Sequence, residues 1–123
     1  MNHFTRIVLF GQSIYFLLTG IWPLISIESF QAVTGPKVDL WLVKMVGLLA
    51  AVIGLSLLVA TVYKRLLLET FILAIGSAAS FAIIDLVYAP SGRISPIYLL
   101  DAAFQVILII LVSIGWLRSN DSA

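Results

Sequence analysis

Four apolar runs, residues 7–27, 41–63, 66–88 and 97–117, each reach the length of about 20 residues that a helix needs to cross the hydrocarbon core of a bilayer. No other property of the chain narrows its fold as far. A backbone in lipid must satisfy its own amides and carbonyls, so runs of this length fold as helices. The breaks between them carry helix-ending and helix-starting chemistry. Gly35 and Pro36 precede Asp39, a capping residue for the second span; Lys64 and Arg65 separate the second from the third; Pro90, Ser91 and Gly92 precede the fourth. Ser95 followed by Pro96 reads as a cap and a first helical residue. Connections this short make consecutive helices antiparallel neighbours. The expected fold is all-α: a polytopic membrane protein, with four transmembrane helices in a compact up-down bundle forming a single domain over residues 1–123.

Between the first two spans the chain reads "FQAVTGPKVDLWLVK". Ile27, Phe30 and Val33 fall on one side of a helical turn, away from Glu28 and Gln31, before Gly35 and Pro36 end it. This predicts a short interfacial helix between the first and second spans, serving as a connector.

Composition removes several function classes. Of the 123 residues, 62% are hydrophobic and 11% charged, and the net charge is +1, so no basic field exists for nucleic acid. With no cysteine, disulfides, iron–sulfur clusters and thiol catalysis are excluded. The one histidine is His3, which leaves the spans without the usual haem ligand. No metal and no cofactor is expected. The amino-terminal run lacks a small-residue cleavage site and continues to membrane length, so it is expected to stay as the first helix. Arg6, Lys64, Arg65 and Arg118 share one side of the membrane, against Lys37, Lys44 and Arg93 on the other. The basic excess puts both termini in the cytoplasm.

Ionisable side chains inside spans are costly and mark candidate sites. Lys44, Asp85 and Asp101 each lie about one turn inside a span, all at one depth below the outer surface. Asp85 shares a face with Ala74, Ala78 and Ala82, and Lys44 is expected to share one with Leu48 and Ala51; Gln105 follows Asp101 by one turn. On the first span Gln12, Tyr15, Thr19 and Ser26 form a polar stripe. These residues predict a polar cavity in the outer half of the membrane, with a contact from Lys44 to Asp85 or Asp101. The same trio fits a structural cluster holding three helices in register, a ligand site, or acid–base chemistry. Glu69 is expected in an interfacial pair with Arg65, Lys64 or Arg6. Small residues Gly47, Ala51 and Gly54 on the second span, and the alanines of the third, predict close helix contact within or between protomers. A slide of 57 residues places Gly35 on Gly92, Trp41 on Tyr98, Lys44 on Asp101, Gln12 on Glu69 and Glu28 on Asp85, which suggests a repeated hairpin.

At "SFQAVTGPKVDLWLVKMVGLL" the chain resembles the DoxX-like group of small bacterial four-helix membrane proteins. The resemblance implies the fold and a bacterial cytoplasmic (inner) membrane location. It also implies a membrane subunit accompanying redox or stress-response systems. It carries no set of catalytic residues to this chain. Three functions follow from the residues. The first is a non-enzymatic bundle, an accessory subunit or a binder of membrane lipids or a hydrophobic small molecule, using Lys44, Asp85, Asp101, Gln105, Gln12, Tyr15 and Thr19. The second is an isomerase-type enzyme with Asp85 or Asp101 as acid or base beside Lys44. The third is a small proton-coupled transporter. Four helices barely shield a sizeable cavity, so a homodimer or larger membrane complex belongs to the expectation.

Overall fold

The computed structural model describes residues 3–65 and 67–121, and every regular element among them is a helix. Four are long: α1 (His3–Ile25), α3 (Leu40–Val62), α4 (Leu68–Tyr88) and α5 (Tyr98–Asp121); α2 (Ile27–Thr34) is a short helix between the first two. Each of the four is long and apolar enough to cross a membrane. The chain is a small multi-pass membrane protein with an all-α four-helix architecture.

Local chemistry sets the ends. Ser26 caps α2, its Oγ accepting the amide of Ser29 at 3.3 Å, and Gly35 ends it with φ +96° and an N–H donated to the Gln31 carbonyl at 2.8 Å. Only glycine enters that backbone region without steric cost. Lys64 takes a left-handed conformation (φ +56°) after α3, letting the Arg65 amide reach the Ala60 carbonyl at 2.8 Å. Asp39 stands at the N-cap of α3 but its side chain makes no capping bond. Ser95 Oγ accepts from the Ile97 amide, yet α5 begins at Tyr98 rather than Pro96. The intervening amides of Leu99 and Leu100 bond three residues back, to Pro96 and Ile97, in the tighter turn common at helix starts.

Helices α1 and α3 run antiparallel and approach closely. Gly20 faces Gly47, Gly54 faces the Ser13 carbonyl, and Arg6 Nε donates to the Thr61 carbonyl at 3.0 Å. The buried stripe of α3 is Gly47, Ala50, Gly54, Leu57 and Thr61, so Ala50 occupies the contact expected of Ala51. The buried stripe of α4 is Phe71, Ala74, Ala78, Ala82 and Asp85, as its alanine spacing predicts. Helices α4 and α5 pair through contacts such as the Phe71 ring on Trp116 (4.7 Å between centroids), and α1 meets α5 where Thr5 abuts Gly115. The result is two antiparallel hairpins, α1 with α3 and α4 with α5, joined chiefly by α1 against α5, while α3 and α4 meet sparsely.

The 57-residue correspondence does not survive at the polar positions that motivated it. Gln12 is buried where Glu69 is exposed, and Glu28 is exposed where Asp85 is buried. Gly35 and Gly92 do share positive φ, but the positions matching α2 fall on the end of α4 and the turn after it rather than on a separate short helix.

Packing is uneven along the bundle. A cluster of Val8, Leu9, Leu57, Phe71, Ala74, Leu108 and Val112 fills the half opposite α2. The half under α2 is hollow.

Candidate functional site

The hollow is a cavity of about 890 Å³ whose wall draws on all five helices. Most of that wall is apolar, with the rings of Phe16, Phe81 and Phe104 prominent in it. Phe16 and Phe81 meet edge to face at 5.4 Å, and Phe104 packs on Tyr15 at 4.3 Å between centroids. These contacts fix the wall's shape through ring packing across helix pairs.

Against this wall four polar side chains converge: Tyr15 from α1, Asp85 from α4, and Asp101 and Gln105 from α5. The Tyr15 hydroxyl donates to Asp101 Oδ1, and Gln105 Nε2 donates to the same oxygen at 3.3 Å. The i to i+4 spacing of Asp101 and Gln105 stacks them on one helix face. Asp85 is only 4% exposed and lies close enough to Asp101 for the two carboxyls to act on each other directly. Its carboxyl interacts with that of Asp101, while its Oδ2 is buried without a partner, as is Gln105 Oε1. The Gln105 amide is oriented by Asp101: turning it over would set oxygen against oxygen.

Helix α2 and the turn after it cover the mouth. Phe30, Val33 and Thr34 line the cavity from α2, and Lys37 folds back over them. Its Nζ donates to the Thr34 carbonyl (3.0 Å), Thr34 Oγ1 (3.2 Å) and the Gly35 carbonyl (2.9 Å), and sits 5.0 Å from the Tyr98 ring centroid and 5.8 Å from that of Phe30. The lysine thus meets the carbonyl end of α2, where the helix dipole favours a cation. The connector is part of the cavity wall.

Of the residues singled out in the sequence, Tyr15, Thr19, Asp85, Asp101 and Gln105 line the cavity; Lys44 and Gln12 do not. Lys44 is exposed, without a hydrogen bond or ion pair, so neither the contact to Asp85 nor that to Asp101 forms. One turn from the start of α3, a lysine on the outside of the helix is long enough to reach the membrane interface and needs no internal partner. Gln12 is fully buried and ties α1 to α4 by donating from Nε2 to the Ala74 carbonyl at 2.9 Å. Thr19 donates to the Tyr15 carbonyl four residues back, and Ser26 is spent as the cap of α2. Glu69 is exposed and forms none of the expected pairs.

Sequence reasoning missed Lys37, Thr34 and the aromatic wall. A lysine just past a glycine-ended helix was the available signal for the first, since it can return to the last carbonyls. Among the described residues no three acidic or imidazole groups gather in a way that could hold a metal ion. No family model, curated protein or solved structure matches this chain.

Proposed function

We propose that the protein binds an amphipathic molecule of the bilayer, a lipid or a small hydrophobic ligand. The polar end would sit at Tyr15, Asp85, Asp101 and Gln105, and the apolar part along the aromatic wall. The observation that carries this reading is the convergence of four polar side chains on one spot of an otherwise apolar cavity of about 890 Å³. A cluster serving only to hold helices in register needs no adjoining space, and in lipid each unpaired polar group costs free energy until something pairs it. Pockets that combine apolar walls with a few convergent polar groups are the usual form of a small-molecule site. With the termini on the cytoplasmic side of a bacterial inner membrane, as the basic residues and the DoxX-like resemblance suggest, the cavity faces the outer leaflet. An accessory role beside a membrane partner, and a homodimer, fit the same reading.

Native mass spectrometry in mild detergent tests it. The wild-type protein should retain a lipid or ligand mass that Val43→Trp, which fills the cavity from α3, loses. Retention of the same mass by the filled variant would exclude the cavity as the site, and the same spectra count subunits.

A second reading is acid–base catalysis on the bound molecule, favoured by Asp85, a cavity-lining carboxyl with one buried oxygen unpaired beside an Asp101 held by Tyr15. Turnover that survives Asp85→Asn would remove it. Proton-coupled transport gains no support: Glu69 lies at the opposite end, with the packed core between it and the cavity.

A further inference from the structure

The polar spot has acceptors to spare and few donors. Its donors are the Tyr15 hydroxyl and the Gln105 amide; the hydroxyl and one of the two amide N–H groups are committed to Asp101 Oδ1. Two buried oxygens, Asp85 Oδ2 and Gln105 Oε1, remain without a partner, on side chains that line the cavity and are 4% and 2% exposed. Charge points the same way. Two carboxyls face each other with no cation bonded to either, and Lys44 lies outside the cavity. Lys37, at the mouth, has used its three donors on Thr34 and Gly35. It is left with none for an anionic head group.

Resting on the reading of the cavity as an amphiphile site, we propose that the head group it receives is a primary alkylammonium. An –NH3+ brings three donors and one positive charge, which is what a carboxyl pair and an orphaned amide oxygen lack. Charge-assisted bonds to carboxylates are about twice as strong as neutral ones. The ring beside the carboxyls adds to this: Tyr15 is packed on Phe104, and aromatic faces attract cations. A hydroxyl head supplies a single donor and no charge. A carboxylate or phosphate head meets two acids. A quaternary ammonium has the charge but no N–H for the unpaired oxygens, so it should bind between the primary amine and the alcohol.

The test uses the full chain in phosphatidylcholine nanodiscs, with four probes sharing one tail: dodecylamine, dodecyltrimethylammonium, dodecanol and dodecanoate. Retained ligand is read by native mass spectrometry over a concentration series. Dodecylamine should bind roughly tenfold tighter than dodecanol, the gap between a charge-assisted and a neutral hydrogen bond, and dodecanoate should bind weakest. Asp85→Asn, nearly identical in shape, should erase the amine preference, while Lys44→Gln, remote from the cavity, should leave it intact. Dodecanol or dodecanoate binding as tightly as the amine would overturn the head-group assignment and leave the amphiphile site standing. An amine preference unchanged in Asp85→Asn would overturn the assignment too. Failure of all four probes to bind would bring down the cavity reading itself. If Asp85→Asn does not accumulate as folded protein, the wild-type ranking of the four probes decides alone.

Discussion

Gly20→Ala probes a close backbone-to-backbone contact between α1 and α3. A Cβ placed on Gly20 would lie 2.5 Å from the Gly47 carbonyl oxygen and 2.7 Å from the Ala51 nitrogen. Ordinary contact begins near 3.4 Å, so α1 and α3 would have to part by about 0.9 Å, the difference between 3.4 and 2.5. The opposing atoms are backbone and cannot rotate away. Overpacking of this kind costs about 1–3 kcal/mol, and a rigid neighbour puts the case near the top of that range. Alanine returns up to about 1 kcal/mol through its higher helix propensity, leaving a net loss of about 2 kcal/mol. On the scaling of soluble domains of this size, that lowers the midpoint of thermal unfolding by about 8 °C. The assay is a thermal melt in mild detergent followed by tryptophan fluorescence. Gly11→Ala and Gly76→Ala supply the comparison, because a Cβ at either position meets nothing within 4 Å, and both should melt at or slightly above the wild-type temperature. Gly20→Ala melting with these two would refute the close crossing. Gly47→Ala meets the Gly20 carbonyl at the same 2.5 Å, so the double variant should lose less than the sum of the singles, the helices having already parted.

Two further expectations concern the lysines. Lys37→Met removes three hydrogen bonds to the carbonyl end of α2, so the amides of residues 31–35 should exchange with deuterium markedly faster while those of α4 are unchanged. Lys44→Gln removes an exposed charge without partners, so the melting temperature should stay within the equivalent of about 0.5 kcal/mol; a larger fall would mean that Lys44 is paired after all.

Much of the architecture was legible because lipid leaves a chain so few options. Apolar length alone located four spans to within a few residues, and the Gly35-Pro36 break marked the end of α2. Asp85 was legible as an inward residue because it continues the Ala74, Ala78, Ala82 stripe, a periodic signal that a single helix carries by itself. Lys44 was misjudged for want of such a signal. The contact face of α3 turned out to be Gly47, Ala50 and Gly54, one residue round from the face assumed, and near a helix end the interface offers a lysine an alternative to the interior. Gln12 illustrates a different limit. Its burial was foreseeable, but whether a buried amide faces a cavity or a neighbouring carbonyl depends on which helix lies opposite, and that is a property of the assembled bundle. Lys37 belongs to the same class: its three acceptors are local, but its position over the Tyr98 ring joins residues brought together only by folding.

The sparse meeting of α3 and α4 bears on how an occupant would arrive. These two pack less extensively than α1 with α3, α4 with α5 or α1 with α5, so transient widening between chain-adjacent helices would fall along that seam. Leu42 and Val46 on one side of it and Ile84 on the other also line the cavity. A molecule entering there comes sideways from the acyl chains and never crosses water. The reservoir that matters is then its mole fraction in the leaflet, which for a strongly partitioning amphiphile far exceeds its aqueous concentration. A site of modest intrinsic affinity would be filled under such supply, and selection among the many lipids present would fall to the head group.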